Sequence, residues 1–178
     1  MTAVDISKYL GRKTIFVGRL NCGKTRRTAK ILEALAKAGF SRRITVLDLA
    51  PETVRGAGGK LARPDGDIAY LTAAIAAPRL TAKTEQEANA LALANARAID
   101  ALITRAFELN RPILVINDAT LYLQASPGDR LIDLIGRAST VVANAYRGTD
   151  FPDSELTAGE RRRTRRLLRA FDKVVEKF

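Results

Sequence analysis

The 178-residue sequence contains no histidine, no tryptophan and a single cysteine, Cys22. Without histidine, Ser-His-Asp triads, Cys-His pairs and histidine-ligated metals are excluded as catalytic devices. One cysteine cannot form an internal disulfide or a cysteine-ligated zinc cluster, so we expect a reducing, cytoplasmic location. Because aromatic residues make up only 6% of the chain, a platform that stacks single-stranded bases is disfavoured.

Long hydrophobic runs are also missing. Residues 1–13 have no apolar segment of the kind found in signal peptides, and the longest weakly polar run, residues 68–78, is too short to cross a bilayer. We therefore predict no membrane partner. With 47% hydrophobic and 28% charged residues, the composition is that of a globular protein, and we predict a single domain over residues 1–178.

The net charge of +11 is unevenly distributed. Residues 1–63 hold 14 Lys and Arg against 4 acidic residues, whereas residues 64–153 hold 8 against 11. A positive field in the N-terminal third would concentrate polyanions, whether a nucleotide, a phosphorylated metabolite or a nucleic acid. The alternative is a solvated basic surface with no partner beyond a nucleotide.

Residues 18–25, GRLNCGKT, match the phosphate-binding pattern G-x-x-x-x-G-K-[ST] at every fixed position. Residues 13–17 predict a short buried strand before the motif, and residues 26–38 predict an amphipathic helix after it. Glycines at 18 and 23 allow successive N–H groups to turn inward around a phosphate chain, and the helix start adds partial positive charge. A glycine turn matching by chance is the alternative, which average residue frequencies make rare.

With this loop, the chain resembles the P-loop NTPases. The resemblance implies a three-layer α/β fold with a mainly parallel sheet of about five strands, a bound nucleoside triphosphate, ATP in the first instance, and Mg²⁺. It implies that Lys24 is a catalytic cation on the β- and γ-phosphates and that Thr25 binds the metal. The predicted cofactor-binding residues of the loop are Gly18, Arg19, Leu20, Asn21, Cys22, Gly23, Lys24, Thr25 and Arg26.

Residues 113–118, ILVIND, form a continuous apolar run that ends in an acid, which is typical of a strand buried on both faces of a parallel sheet. The run resembles a Walker B strand. The resemblance implies that Asp118 binds Mg²⁺ opposite Thr25 and is part of the catalytic site. Asn117 is the alternative residue for the strand end. Since Ala119 follows where many P-loop hydrolases carry a glutamate, a fast ATPase is disfavoured.

Residues 42–49 predict a second strand, in which a β-branched, apolar run ends at Asp48. Ligands of open α/β sheets lie beyond the carboxyl ends of the strands, so we assign Asp48 a catalytic role in positioning the attacking group. The segment resembles the corresponding strand end of dethiobiotin synthetase and the MinD-like ATPases, although Ala50 stands where a second aspartate is common there. A cap or turn carboxylate is the alternative.

Residues 140–145 predict the last clear strand, and Asn144 and Arg147 at its end lie where many P-loop folds hold the nucleotide base. We therefore predict that both residues contact the base. The segment matches the N-K-x-D guanine motif only in its asparagine, because Ala145 and Arg147 replace the lysine and the aspartate. A GTPase is not indicated.

Two helices complete the predicted fold. A capping box at residues 84–87 begins a helix to about residue 109, within which Asn95 is expected to be a hydrogen-bonded core amide. Arg79, just before this helix, is expected to be an ordinary surface arginine, with a position near the phosphates as the alternative. Residues 154–178 predict a basic amphipathic helix whose arginines are solvated, bind nucleic acid or close over phosphates.

Three functions fit these features. The first is a small-molecule kinase or synthetase, with residues 55–84 binding an unknown acceptor. The second is an NTP-driven switch or nucleic-acid-associated ATPase (hydrolase), which the basic N-terminal third would suit. The third is group transfer resembling that of corrinoid adenosyltransferases, but the loop lacks the extra glycine and lysine of that family. Mg²⁺-dependent phosphoryl transfer or hydrolysis is the shared prediction.

Overall fold

The computed structural model describes residues 4–53, 56 and 59–176. All the strand pairs are parallel, and the six strands lie in the order β3-β2-β4-β5-β1-β6. The strands are β1 (Lys13–Gly18), β2 (Ile44–Asp48), β3 (Ala69–Thr72), β4 (Ile113–Asn117), β5 (Thr140–Tyr146) and β6 (Lys173–Val175). The helices are α1 (Lys24–Leu35), α2 (Pro78–Thr81), α3 (Glu85–Leu109), α4 (Thr120–Leu123), α5 (Asp129–Arg137) and α6 (Glu155–Leu168).

Side chains that alternate along the central strands build two separate cores. Ile15, Val17 and Ile116 face the layer formed by α3, α4, α5 and α6. Phe16 and Val115 face the opposite layer, which contains α1. Because both faces of the sheet are covered, the strands are continuous apolar runs rather than alternating ones. This three-layer α/β architecture in one domain confirms the predicted fold class.

The parallel sheet gathers the ends of its strands at one edge. Asp48 at the end of β2 is directly opposite Asn117 at the end of β4. Gly18 at the end of β1 is opposite Tyr146 at the end of β5. Since β5 lies between β1 and β4, the glycine loop and the predicted metal strand are separated by one strand.

The C-terminal region differs from the prediction. The helix predicted over residues 154–178 ends at Leu168, and the chain then forms β6, which gives the sheet six strands instead of about five. The Asp172 carboxylate accepts a hydrogen bond from Lys13 N–H (2.8 Å), and Asp172 N–H donates to Lys13 C=O (2.9 Å). The β-branched residues of β6 thus pair with the open edge of β1 as a strand, although their spacing in the sequence predicted a helix. Lys177 and Phe178 lie outside the described residues.

Helix α3 is the longest element, at 25 residues. Its N-cap Thr84 accepts a hydrogen bond from Glu87 N–H (3.1 Å), while the Glu87 carboxylate accepts one from Lys83 N–H (2.7 Å). The Thr84 half of the predicted capping box is therefore present, whereas the Glu87 carboxylate binds the N–H group of Lys83 rather than that of the N-cap residue. Among the helices in the described part of the chain, none is both long and apolar enough to span a membrane.

Asn95 of α3 fixes the segment that enters α2. Its Oδ1 accepts a hydrogen bond from Ala76 N–H (2.9 Å), and its Nδ2 donates to Ala76 C=O (3.0 Å). The side chain is 3% exposed, so the amide satisfies both backbone groups away from water. The structural role predicted for Asn95 is confirmed.

Replacing Asn95 by leucine is expected to reduce the free energy of unfolding by about 2 kcal/mol, because two backbone groups of Ala76 lose their partners. Chemical denaturation in urea measures the change. Asn89→Leu, the same substitution at an exposed position of α3, is the control and should alter stability by less than about 0.5 kcal/mol. Equal effects in the two variants would contradict the assignment.

Candidate nucleotide-binding site

The glycine loop connects the end of β1 to the start of α1, which is the strand–loop–helix context that the motif requires. Asn21 (φ 55°) and Gly23 (φ 93°) both have left-handed backbone conformations, and Gly23 is the N-cap residue of α1. A Cβ atom at Gly18 would lie 2.8 Å from Cys22 Sγ. A side chain at position 18 would therefore require the Cys22 side chain to move, and the helix entry depends on glycine at position 23 because of its left-handed backbone.

Lys24 is buried and folds back over its own loop. Its Nζ donates to the carbonyl oxygens of Gly18 (3.0 Å) and Arg19 (2.5 Å). The N–H groups in the first turn of α1 have no acceptor within the helix, and no side chain in the described part of the chain caps this helix end. The loop thus presents an ammonium group and unsatisfied amides from one helix end, an arrangement that attracts anions.

A cleft of about 250 Å³ opens in front of this loop at the carboxyl edge of the sheet. Asp118 and Asn144 face the loop residues across it. The structure thus brings residues 20–26 of the predicted loop together with two of the residues predicted from distant strands, whereas Gly18 and Arg19 do not line the cleft. The residues lining the cleft are Leu20, Asn21, Cys22, Gly23, Lys24, Thr25, Arg26, Asp118, Asn144 and Tyr146.

Asp118 follows the last residue of β4 and has a left-handed backbone (φ 57°), so Asn117, not Asp118, is the end of the strand. Asp118 N–H donates to Asn144 Oδ1 (3.0 Å), and the Thr120 hydroxyl donates to Asp118 Oδ1. Burial raises the pKa of Asp118, an effect that the hydrogen bond from Thr120 and the charges of Arg79 and Lys24 partly oppose. The turn thus places a partly desolvated carboxyl group opposite the glycine loop.

The oxygen atoms of Thr25 and Asp118 suit a hard cation such as Mg²⁺. Within the described ranges, no cluster of three or more His, Cys, Asp or Glu side chains could hold a metal by itself. A Mg²⁺ ion typically takes only one or two protein ligands and completes its shell with water and substrate phosphates. The donor set therefore fits a metal that binds together with a polyphosphate.

Asn144 lies within β5 and joins the two sides of the cleft. Its Oδ1 accepts from Asp118 N–H, and its Nδ2 donates to Thr28 Oγ1 of α1 (3.1 Å) and to Asn117 Oδ1 (2.9 Å). The side chain is 2% exposed. Its contact with a nucleotide base stays a prediction, and its hydrogen bonds favour a role in holding the glycine-loop helix and Asp118 in register.

Asp48 is fully buried and already has protein partners on both carboxylate oxygens. Oδ1 accepts from Asn117 Nδ2 (2.8 Å), while Oδ2 accepts from Leu61 N–H (2.6 Å) and from the Tyr70 hydroxyl. It is not among the residues that line the cleft. The catalytic role of Asp48 stays a prediction, and its contacts favour the structural alternative.

The chain after β5 covers the glycine loop from outside. The Asp150 carboxylate accepts hydrogen bonds from Arg19 Nη2 (2.7 Å) and Leu20 N–H (3.2 Å), and the Arg19 guanidinium lowers the pKa of Asp150. Arg147 N–H donates to Gly18 C=O (2.9 Å), whereas the exposed Arg147 side chain pairs with Glu176. The Arg147 side chain does not line the cleft, and its base contact stays a prediction.

Arg79 is not the surface arginine that we expected. Its Nη1 lies 3.0 Å from Glu160 Oε1, and the two side chains are only 10% and 2% exposed. The guanidinium also lies 3.9 Å from the centre of the Phe151 ring. Sequence reasoning missed Glu160, although it is the only acid on the α6 face that carries Thr157, Thr164 and Leu167, all of which are buried.

The region 55–84, predicted to bind an acceptor, is only partly described, because Arg55, Ala57 and Gly58 lie outside the described residues. Within it, Ala77, Pro78, Arg79 and Leu80 line a hollow that adjoins the cleft.

A search with protein-family models found no family that matches the chain, and a search of curated proteins found no match either.

Replacing Asp118 by asparagine is expected to raise the melting temperature at pH 8, because the substitution removes a carboxylate whose ionisation is disfavoured by burial. The pKa of Asp118 is raised on folding, so its ionisation destabilises the native state above the raised pKa and has no effect below the ordinary pKa of about 3.9. Asparagine also tolerates the left-handed backbone at this position.

Melting curves of the unmodified protein and of Asp118→Asn between pH 4 and pH 8 test the direction of the Asp118 pKa shift. The difference between Asp118→Asn and the unmodified protein should shrink as the pH falls toward 4. Asp133→Asn, at an exposed site on α5, serves as the control and should show little change at any pH. A lower melting temperature of Asp118→Asn than of the unmodified protein at pH 8 would contradict the inference that folding raises the pKa of Asp118.

Proposed function

We propose that this chain is a P-loop NTPase that binds a nucleoside triphosphate, ATP in the first instance, together with Mg²⁺. In this proposal the polyphosphate lies in the cleft lined by the glycine loop and Asp118. Thr25 and Asp118 would hold the metal, which would supply positive charge to the polyphosphate. Loop amides and Lys24 bind the phosphate oxygens.

One observation carries the proposal: the buried Lys24 ammonium and the first-turn amides of α1 face the same cleft as Asp118 at the carboxyl edge of a parallel sheet. Ligands of open α/β sheets bind at this edge. The two carbonyl oxygens that accept from Lys24 are the kind of partner that phosphate oxygens can replace, since an ammonium bonds more strongly to an anion than to a neutral carbonyl.

The chemistry that these groups support is phosphoryl transfer. An attacking oxygen, from water or from a hydroxyl acceptor, forms a bond to the γ-phosphorus. The bond from that phosphorus to the β,γ-bridging oxygen breaks, its electron pair leaves with the nucleoside diphosphate, and the proton of the attacking group passes to water. Lys24 would neutralise the charge that develops on the transferred group and on the leaving oxygen.

Transfer to a small acceptor is favoured over rapid hydrolysis. The residue after Asp118 is the buried Ala119, so this position provides no carboxylate that could polarise water. The next side chain, Thr120, is also buried, and its hydroxyl donates to Asp118 itself. A small-molecule kinase is therefore the form of the proposal that the site supports best.

A nucleic-acid-associated ATPase is the second candidate, and α6 carries the observation that favours it. Arg161 pairs with Asp153, Arg166 pairs with Asp129, and Arg163 donates to backbone carbonyls. Three further arginines are exposed and make no ion pair within the described part of the chain: Arg162 and Arg165 on this helix and Arg169, its C-cap residue. Stimulation of ATP turnover by a polynucleotide, weakening steeply with salt, would favour this candidate over the kinase.

Replacing Lys24 by alanine should weaken binding of Mg²⁺ and the non-hydrolysable ATP analogue AMP-PNP by roughly 10–100-fold. This range corresponds to the loss of one hydrogen-bonded charge contact. Isothermal titration calorimetry measures the affinity, and the melting temperature of each variant confirms that it is folded.

Lys30→Ala provides the matched control. It removes the same charge from the same helix, but Lys30 does not line the cleft. A change of less than about threefold is expected there, because only the long-range field is altered. If Lys24→Ala binds the analogue as tightly as Lys30→Ala does, the proposed phosphate site is wrong.

A further inference from the structure

A pocket lined by arginines shares Tyr146 with the nucleotide cleft. It has a volume of about 270 Å³ and is formed by the turn that follows β5 and by residues of α6. Arg147 lines it from the turn, and Arg161 and Arg165 line it from the helix. We refer to it as the arginine pocket.

The turn that forms one wall of the arginine pocket is in contact with the glycine loop. Arg147 N–H donates to Gly18 C=O (2.9 Å). A Cβ atom at Gly148 would lie 3.0 Å from Arg19 Cγ, so the turn and the loop are closely packed. A ligand in the arginine pocket would therefore lie beside the proposed nucleotide site.

The lining of the pocket carries an excess of positive charge. Its single acidic residue is Glu160. Glu160 Oε1 is paired with Arg79 (3.0 Å), and Oε2 accepts a hydrogen bond from Gln124 Nε2 (2.9 Å). Because the Glu160 side chain is only 2% exposed, its charge is compensated inside the protein and does little to offset the three arginines.

The present partners of these arginines are weak competitors for a ligand. Arg147 pairs with Glu176 and Arg161 pairs with Asp153, but the two acidic side chains are 60% and 87% exposed and do not line the pocket. Exposed ion pairs of this kind contribute little to stability. Arg165 is exposed and makes no ion pair within the described part of the chain. An anion with more than one charge is therefore expected to displace the two acids.

We propose that the arginine pocket binds the phosphate group of a phosphorylated small molecule, the second substrate of the reaction. Guanidinium groups match two phosphate oxygens at once, and a phosphate monoester carries about −1.5 to −2 charges at pH 7. The volume of about 270 Å³ lies near the lower end of the range for small-molecule sites, so the ligand is small. The role as second substrate rests on the proposed function, whereas the phosphate site itself does not require a bound nucleotide.

Propyl phosphate and propan-1-ol test the requirement for a phosphate, because they have the same carbon chain. In ¹H–¹⁵N spectra of the full chain, the backbone amide signals of Gly148 and Thr149, which line the pocket, report binding. Ionic strength is held at about 0.15 M with sodium chloride. Propyl phosphate should shift both signals saturably, and propan-1-ol should leave them unchanged.

Arg165→Gln tests the location, because it removes a charged donor from the pocket, and the affinity for propyl phosphate should fall about tenfold. Arg162→Gln is the matched control. Arg162 lies on the same helix, is exposed and makes no ion pair within the described residues, but it does not line the pocket. Since only the screened long-range field changes, its affinity for propyl phosphate should stay within about twofold of the unmodified chain.

The titrations are run with and without Mg²⁺ and AMP-PNP, and repeated with Lys24→Ala without nucleotide. A second substrate must bind together with the nucleotide, so binding of propyl phosphate should persist in all three cases. If AMP-PNP does not bind the unmodified chain but propyl phosphate does, the proposed function is wrong and the phosphate site stands. A failed pocket is thereby distinguished from a failed nucleotide site.

Three results would overturn the inference. The Gly148 and Thr149 signals could respond to propyl phosphate no more than to propan-1-ol. Arg162→Gln could weaken binding as much as Arg165→Gln, which would mean that the open basic surface of α6 attracts phosphate, as expected of a nucleic-acid-binding face. AMP-PNP could abolish binding of propyl phosphate, which would assign the pocket to the nucleotide.

Discussion

The contact between the Lys24 ammonium and the carbonyl groups of Gly18 and Arg19 is the interaction on which the candidate site depends. It exists only because the chain reverses tightly between β1 and α1, and the left-handed Gly23 makes that reversal sterically available. Burial in the loop reduces the water around the ammonium, which strengthens its interaction with an incoming anion. The adjoining amides of α1 add to the same field.

A buried network of amide and hydroxyl groups ties this loop to the rest of the sheet. Asn144 contacts Thr28 on the loop helix, Asn117 at the end of β4 and the backbone of Asp118. Asn117 in turn donates to Asp48 on β2. A displacement of any one strand end would leave several of these groups unpaired away from water, at a cost of about 1–3 kcal/mol each. The network therefore explains how two elements separated by one strand keep a fixed spacing.

Much of the fold was predictable from local sequence, and much of the site was not. The periodicity around the glycine loop and the capping residue Thr84 are short-range signals, and the elements they predict are present. By contrast, the burial of Arg79 depends on Glu160, 81 residues away along the chain. Likewise, β6 forms because the edge of β1 accepts it. No local pattern encodes such tertiary contacts. For the same reason, the sequence did not predict that both carboxylate oxygens of Asp48 accept hydrogen bonds from the protein.

The most direct measurement is a crystal structure of the chain with Mg²⁺ and AMP-PNP. The account predicts that the β- and γ-phosphates occupy the cleft in front of residues 18–25, with Lys24 Nζ within hydrogen-bond distance of their oxygens. It also predicts that Mg²⁺ binds between those phosphates and the oxygens of Thr25 and Asp118. Triphosphate density at any other surface, with Lys24 still bonded only to its own loop, would contradict the account.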